Sequence, residues 1–380
     1  MNTGYSFSFR LIFFTMIVFF RLVEPSYSEY WPREQWRTSP PESQGMSSEV
    51  LSDMLESLRG KDHRPDSIIV IRNGYVVLES YMYPAEPHFK HQVHSCTKSV
   101  SSALIGIAID KGYIKSVDQG LLEFFPEKIP TVQDTEKLNI TLKHLLTMAA
   151  GLRCEDTKAH EFKGLKEMWQ IDDWVQYMID LPLVETPGSS FEYCNGVSSL
   201  LTAIIQKTTG ETAFEFAGKH LFSPLGITDT HWKSRNGLTI GYSDLTMRPL
   251  DMAKIGYLFL KDGRWQDQQI ISPEWIKESA RKQIDNYETY GYGYQWWILS
   301  PERFAALGAH GQRIFVLRDQ NMVVVFTGRL EQVRSQVPEH LLYNFILPSV
   351  ESDAPLPVNQ QMAERLHRLT MSLQTTENLK

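Results

Sequence analysis

Two strand-rich stretches, one near each end of the chain, bracket a long helical middle, and this layout restricts the fold more than any other feature. Near the start, Ser67–Arg72 and Tyr75–Tyr83 are rich in β-branched and aromatic residues and are separated by Asn73-Gly74. That dipeptide is the two-residue turn whose twist matches paired strands. Near the end, Tyr290–Leu299, Phe304–Leu307, Arg313–Arg318 and Met322–Thr327 read as strands, with Asp319-Gln320-Asn321 as a hairpin turn. Between about 115 and 285 the apolar spacing is helical: Thr141–Ala150 stopped by Gly151, Val197–Thr209 stopped by Gly210, then Pro249–Leu260 and Pro273–Lys282. Strands so far apart are joined most economically in one antiparallel sheet, with helices packed on it and the helical block inserted. Ser47–Arg59, ending at Gly60, and Leu341–Ile346 are the helices expected to pack on that sheet. Beyond Pro355 the pattern is partly helical (Met362, Leu366, Leu369), with a disordered end expected. The predicted fold class is α+β, with a sheet lobe from about 40–112 and 286–350 and a helical lobe over about 113–285.

A length of 380 residues allows one large domain or two packed ones. A net charge of −7 without a long Lys/Arg cluster leaves no footprint for nucleic acid. Arg10, the apolar run Leu11–Phe20 broken only by Thr15, Arg21 and the small residues of Ser26-Tyr27-Ser28 read as a secretory signal peptide over 1–28. The run is short against the ~20 residues a membrane span needs. A secreted or periplasmic domain from 29 to 380 is therefore expected, with no stable membrane span. Export permits a disulfide. Cys154 and Cys194 would close a loop of about 40 residues, leaving Cys96 over; the alternative is three cysteines that simply pack.

The chemistry is concentrated in two short segments. Ser95-Cys96-Thr97-Lys98 begins a helix whose buried stripe is Val100, Ala103, Leu104, Ile107 and Ala108. Serine and lysine three positions apart share a helix face. A hydroxyl is a poor nucleophile unless a base stands beside it, and burial lowers a lysine's pKa towards that role. The Ser95 N–H at a helix start is also suited to a developing oxyanion. Downstream, Tyr193-Cys194-Asn195 follows the turn-rich Pro187-Gly188-Ser189-Ser190. Tyr193 is a second candidate proton carrier if Lys98 lowers its pKa, and Asn195 can hydrogen-bond Lys98 or an acyl group. Ser279-Ala280-Arg281-Lys282 repeats the spacing in what reads as a charged, solvent-facing helix, so spacing alone proves little. His88, His91 and His94 are three apart, but in a Pro-flanked loop without a carboxylate pattern they read as a solvated or site-lining loop rather than as a metal site. Asn139-Ile140-Thr141 fits a glycosylation acceptor, relevant only in a eukaryotic secretory host.

These segments resemble the β-lactamase-related serine hydrolases, the class C β-lactamase-like family of DD-peptidases, esterases and amide hydrolases. His94–Ser99 is similar to the nucleophile segment, and Ile140–Thr147 followed by Gly151-Leu152 to the stretch after it. Pro187-Gly188 before Phe191, Tyr193 and Asn195, and Asp251-Met252-Ala253 before Gly256, extend the likeness over roughly 40–345. The resemblance implies a two-lobed fold with the active site between sheet and helical region, an acyl-enzyme on Ser95, and no cofactor or metal. It implies a small-molecule ester or amide, or a peptide, as substrate, and leaves the oligomeric state open. The third motif of the family, commonly Lys-Thr-Gly or His-x-Gly, corresponds to Gly308-Ala309-His310-Gly311-Gln312. Ala309 stands where the carboxylate-attracting cation is usual, which ranks esterase or amidase above β-lactamase or DD-peptidase. A non-catalytic relative binding cell-wall peptides is the alternative from another class. The Gln312 N–H is expected as a second oxyanion donor, with His310 and Gly311 beside the substrate.

Overall fold

Continuous apolar runs decide the centre of the molecule. In the computed structural model, which describes residues 1–4, 31–32, 35–128, 130, 135–156, 160–331 and 334–375, Trp31–Lys380 form one compact unit. The elements used below are α1 (Ser48–Leu58), β1 (Ser67–Arg72), β2 (Tyr75–Tyr81), α2 (Cys96–Asp110), α3 (Asn195–Thr209), α4 (Pro249–Leu260) and α5 (Pro273–Ser279). They continue with β3 (Gly291–Tyr292), β4 (Trp297–Ser300), β5 (Arg303–Gly308), β6 (Gln312–Leu317), β7 (Met322–Thr327) and α6 (Gln360–Leu373). One sheet takes the order β3-β4-β5-β6-β7-β1-β2, its neighbours antiparallel. The two chain ends meet where Ser67 faces Thr327 and Arg72 faces Met322.

Every residue of β1 and β7 is buried, because both faces of the sheet are covered. Alternation divides them. Ile69, Ile71, Val323 and Val325 face a core shared with α2, α3 and α4. Ile68, Val70, Val324 and Phe326 face a second core with Leu51 and Leu55 of α1 and Leu366 and Leu369 of α6. The fold is α+β as expected, with one antiparallel sheet closed by both chain ends.

Several expectations need correction. Tyr290–Leu299 is not one strand but the hairpin β3–β4, pairing Gly291 with Ile298 and Tyr292 with Trp297. The chain reverses at Gln295, which is left-handed and fully buried. Gln295 is held there by its amide, which donates to Leu145 O and Leu146 O, and by Ser198 Oγ donating to its Oε1. Trp296 and Trp297 are both buried, Trp296 against Phe259 and Phe304 and Trp297 against Tyr193. The helix expected over Thr141–Ala150 ends at Leu146, because Met148 turns left-handed two residues later. The helical middle also carries short strands: Leu245–Met247 and His231–Trp232 form a small sheet with His91–Gln92 from the preceding lobe. α5 stops at Ser279, so Lys282 lies outside it, and Ser279 is buried rather than solvent-facing. The C-terminal pattern is a full helix, α6, docked on the second core. The signal-peptide reading over 1–28 lies outside the described residues from residue 5 onward, as does 376–380 of the expected disordered end.

Candidate active site

The nucleophile turn is assembled by a tight approach of two elements. His94 is left-handed (φ 48°) and Ser95 is the N-cap of α2. The N–H groups of Cys96, Thr97 and Lys98 donate back to Val93, His94 and Ser95 carbonyls. Among the described residues nothing accepts from the Ser95 N–H, which is left over at the head of the helix. Gly308 at the end of β5 lies against this turn: a Cβ there would sit 2.5 Å from Val93 O and 3.2 Å from Cys96 Sγ. Only glycine lets β5 come so close.

α2 is buried on nearly all sides, as a helix apolar all round must be, and this traps Lys98 at 1% exposure. Its Nζ lies 3.1 Å from Ser95 Oγ, 2.8 Å from Asn195 Oδ1 and 3.1 Å from Tyr242 O. Burial pushes the Lys98 pKa down to about 7, with the Asp156 carboxylate pulling the other way. Neutral lysine is thus well populated at neutral pH, and a neutral amine can accept the Ser95 proton across that same 3.1 Å contact.

Tyr193 completes the cluster. Its half-buried ring stacks on Trp297 with centroids 5.9 Å apart, Lys98 Nζ lies 4.8 Å from its centroid, and its hydroxyl hydrogen-bonds Ser95. The expected lowering of its pKa by Lys98 is reversed. Loss of water around the phenol pushes its pKa up, outweighing the Ser95 hydrogen bond. A near-neutral Lys98 has little charge to offer in compensation. Asn195 opens α3; its side chain accepts from Lys98 and its N–H donates to Asp156 Oδ2 at 2.7 Å. Cys154 and Cys194 are joined, with Cα atoms 5.6 Å apart, and Cys96 stays free and buried.

The third-motif segment lies at the same place but is arranged differently from the expectation. Ala309–Gly311 form a 3-10 turn with His310 (φ 60°) and Gly311 (φ 87°) both left-handed. The Gln312 N–H donates into that turn, to Ala309 O, and its side-chain Nε2 donates to Gly328 O. That N–H therefore already has an acceptor within the turn, where the sequence reading expected a donor facing the substrate. His310 stacks obliquely on His94, ring centroids 5.0 Å apart, while its Nδ1 lies 2.9 Å from Leu330 O. The carbonyl can only accept, so His310 carries its proton on Nδ1 and leaves Nε2 as an acceptor when neutral. His94 is kept neutral: burial, then His310, bring its pKa down to about 4. Of the other loop histidines, His88 is exposed beside Glu86 and His91 lies 3.6 Å from Asp66. Among the described residues there is no cluster of three or more metal-ligating side chains.

Three contributors escaped the sequence reading. Asp156 and Tyr242 reach Lys98 from segments with no recognisable motif. Tyr242 is itself fixed by Trp169 Nε1, which donates to its hydroxyl at 2.7 Å. Arg313, buried in β6, clamps both stems of the third-motif turn, donating from Nη1 to Gly308 O and Gln312 O and from Nε to Glu339 Oε1. An arginine at the head of the apolar run Ile314–Leu317 was the one available signal for it.

The likeness to known proteins matches this geometry. Residues 51–336 match the Beta-lactamase family. The chain belongs to that family. It is 24% identical over 286 residues to a 6-aminohexanoate-dimer hydrolase of Paenarthrobacter ureafaciens, covering 68% of this chain and 71% of that one. Among solved structures, the octameric penicillin-binding protein homologue from Pyrococcus abyssi superposes with a TM-score of 0.62 at 19% identity, covering 80% of this chain and 78% of that one. EstCE1, a hydrolase with promiscuous acyltransferase activity, superposes with a TM-score of 0.66 at 14% identity, covering 80% and 99%. The chain is thus a β-lactamase-like serine hydrolase by family, one that includes amidase- and esterase-type relatives.

Proposed function

We propose that this protein is an exported hydrolase that cleaves an ester or amide through an acyl-enzyme on Ser95. The observation that carries the reading is the 3.1 Å contact between Ser95 Oγ and a buried Lys98 whose pKa lies at about 7. Neutral Lys98 takes the Ser95 proton as Oγ attacks the carbonyl carbon, and the Ser95 N–H faces the developing oxyanion. Tyr193, a neutral phenol hydrogen-bonded to Ser95, gives its proton to the departing alkoxide or amine and recovers one from the Lys98 ammonium. Water then attacks the acyl carbonyl by the same route in reverse, releasing the acid and restoring Ser95. Lys98 is the first base and Tyr193 the acid in this scheme, because burial lowers one pKa and raises the other.

Esters and linear amides are favoured over β-lactams as substrates. The relative named for hydrolysis of a 6-aminohexanoate dimer and the esterase-type relative support that choice, as does Ala309 in place of a cation. Export rests on the apolar run Leu11–Phe20 and on the buried disulfide. Among the described residues no helix is long and apolar enough to cross a membrane. The test is labelling with a fluorophosphonate, together with turnover of p-nitrophenyl esters, short amides and a chromogenic cephalosporin. Label on the wild type but not on Ser95→Ala, with ester or amide turnover, is expected. An unlabelled wild type would remove the enzyme reading, and faster cephalosporin turnover would reverse the substrate ranking.

A further inference from the structure

The segment that carries Tyr193 and Asn195 is fastened to one other stretch of chain by a disulfide and by a carboxylate, and that carboxylate also acts on Lys98. Cys194, between the two site residues, is bonded to Cys154. Two residues beyond Cys154, Asp156 accepts the Asn195 N–H at 2.7 Å. Both cysteines and Asp156 are buried, with 2–4% exposure. The neighbourhood has no slack: a Cβ on Gly164 would overlap Cys154 O at 1.7 Å, and one on Gly196 would meet Met178 Sδ at 2.1 Å. The Cys154 N–H also reaches back to Glu192 Oε1 at 3.2 Å, and the Cys194 N–H to Met148 Sδ at 3.4 Å. By contrast, the approach to Tyr193 from Thr186 to Glu192 carries no helix or strand.

We propose that the Cys154–Cys194 disulfide and Asp156 act together as a positioning clamp for the reaction described above, on which this inference rests. Neither touches the substrate. The crosslink holds the backbone between Tyr193 and Asn195. Asp156 holds the N–H of Asn195, whose side chain in turn holds Lys98. The carboxylate has a second effect, since its negative charge favours the protonated form of Lys98 against the burial that opposes it. A displacement of about 1 Å in such a site costs on the order of 100-fold in rate, so a crosslink at this position governs rate as well as stability.

The test compares wild type, Cys154→Ser/Cys194→Ser and Asp156→Asn on a p-nitrophenyl ester, with rates divided by the serines titrated with a fluorophosphonate. In both variants kcat per titrated serine should fall by about tenfold or more while KM stays within about threefold. In Asp156→Asn the acidic limb of kcat/KM should also move to lower pH, because the charge that favoured protonated Lys98 is gone. A lower melting temperature with unchanged kcat per titrated serine would reduce the disulfide to a structural staple and overturn the proposal. If the double variant does not fold, the near-isosteric Asp156→Asn decides: unchanged kcat and an unmoved acidic limb would overturn the clamp. A wild type with no titratable serine would overturn the hydrolase reading itself, a separable result.

Discussion

The chain contains Ser-x-x-Lys twice, and the two copies behave oppositely. At Ser95 the serine stands at the start of a long buried helix and Lys98 follows inside it, at 1% exposure, with burial lowering its pKa to about 7. At Ser279 the serine ends a short helix, with its hydroxyl spent on Ile276 O. Lys282 lies beyond that helix, paired with Asp285, which raises its pKa. One pair offers a hydroxyl held against Lys98 and Tyr193, with a lysine ready to lose its proton. The other offers a committed hydroxyl and a stabilised cation. Identical spacing becomes chemistry only where the helix begins at the serine and is buried around the lysine.

The sharpest way to break this contrast is to remove each serine. Ser95→Ala should abolish fluorophosphonate labelling and lower ester turnover by about 10⁴-fold or more, whereas Ser279→Ala should leave turnover per folded molecule within about twofold. Next are the lysines: Lys98→Met should cost about 10³-fold in kcat/KM, and Lys282→Met about nothing. Tyr193→Phe, which removes a hydroxyl and leaves the ring against Trp297, should cost about 10²-fold in kcat and more for amides than for activated esters, whose leaving groups need less protonation.

The pH profile is a finer discriminator. The proposed mechanism requires neutral Lys98, so kcat/KM should rise with pH and level off with a midpoint near 7; a midpoint below 5 would remove Lys98 as the base. The same shift leaves a mark on stability. The folded-state pKa lies below the unfolded value, so the folded protein binds this proton less tightly. The cost of burying Lys98 is absent above about 10.5 and grows as pH falls from there to about 7. Denaturant titrations at pH 7 and pH 10 should therefore show Lys98→Met gaining on wild type at the lower pH.

Much of the frame was legible because its signals are local. The first hairpin turn at Asn73-Gly74, α4 over Pro249–Leu260 and β7 over Met322–Thr327 appear at or very near their expected bounds. Each depends on apolar periodicity or turn chemistry within a few residues. The β3–β4 hairpin was missed because its reversal at Gln295 is held by bonds to Leu145, Leu146 and Ser198, about 100 to 150 residues away. The turn that gives the Gln312 N–H an acceptor was not foreseen, because a left-handed His310, unusual for a side chain with a Cβ, closes a 3-10 turn on Ala309 O. Asp156 and Tyr242 carried no signal at all, since their roles exist only where distant segments meet Lys98.

From the sequence alone came the family likeness, the α+β layout, the candidate nucleophile and the two motifs, because residue type, spacing and local helix boundaries are written in contiguous residues. The choice between the two Ser-x-x-Lys copies had only helix context to lean on. Tertiary structure supplied the direction of each pKa shift, the acceptor of the Gln312 N–H and the union of Cys154, Asp156, Asn195 and Lys98. Desolvation, and the partners that offset it, are set by what the rest of the chain packs around a group, and no stretch of neighbouring residues specifies that.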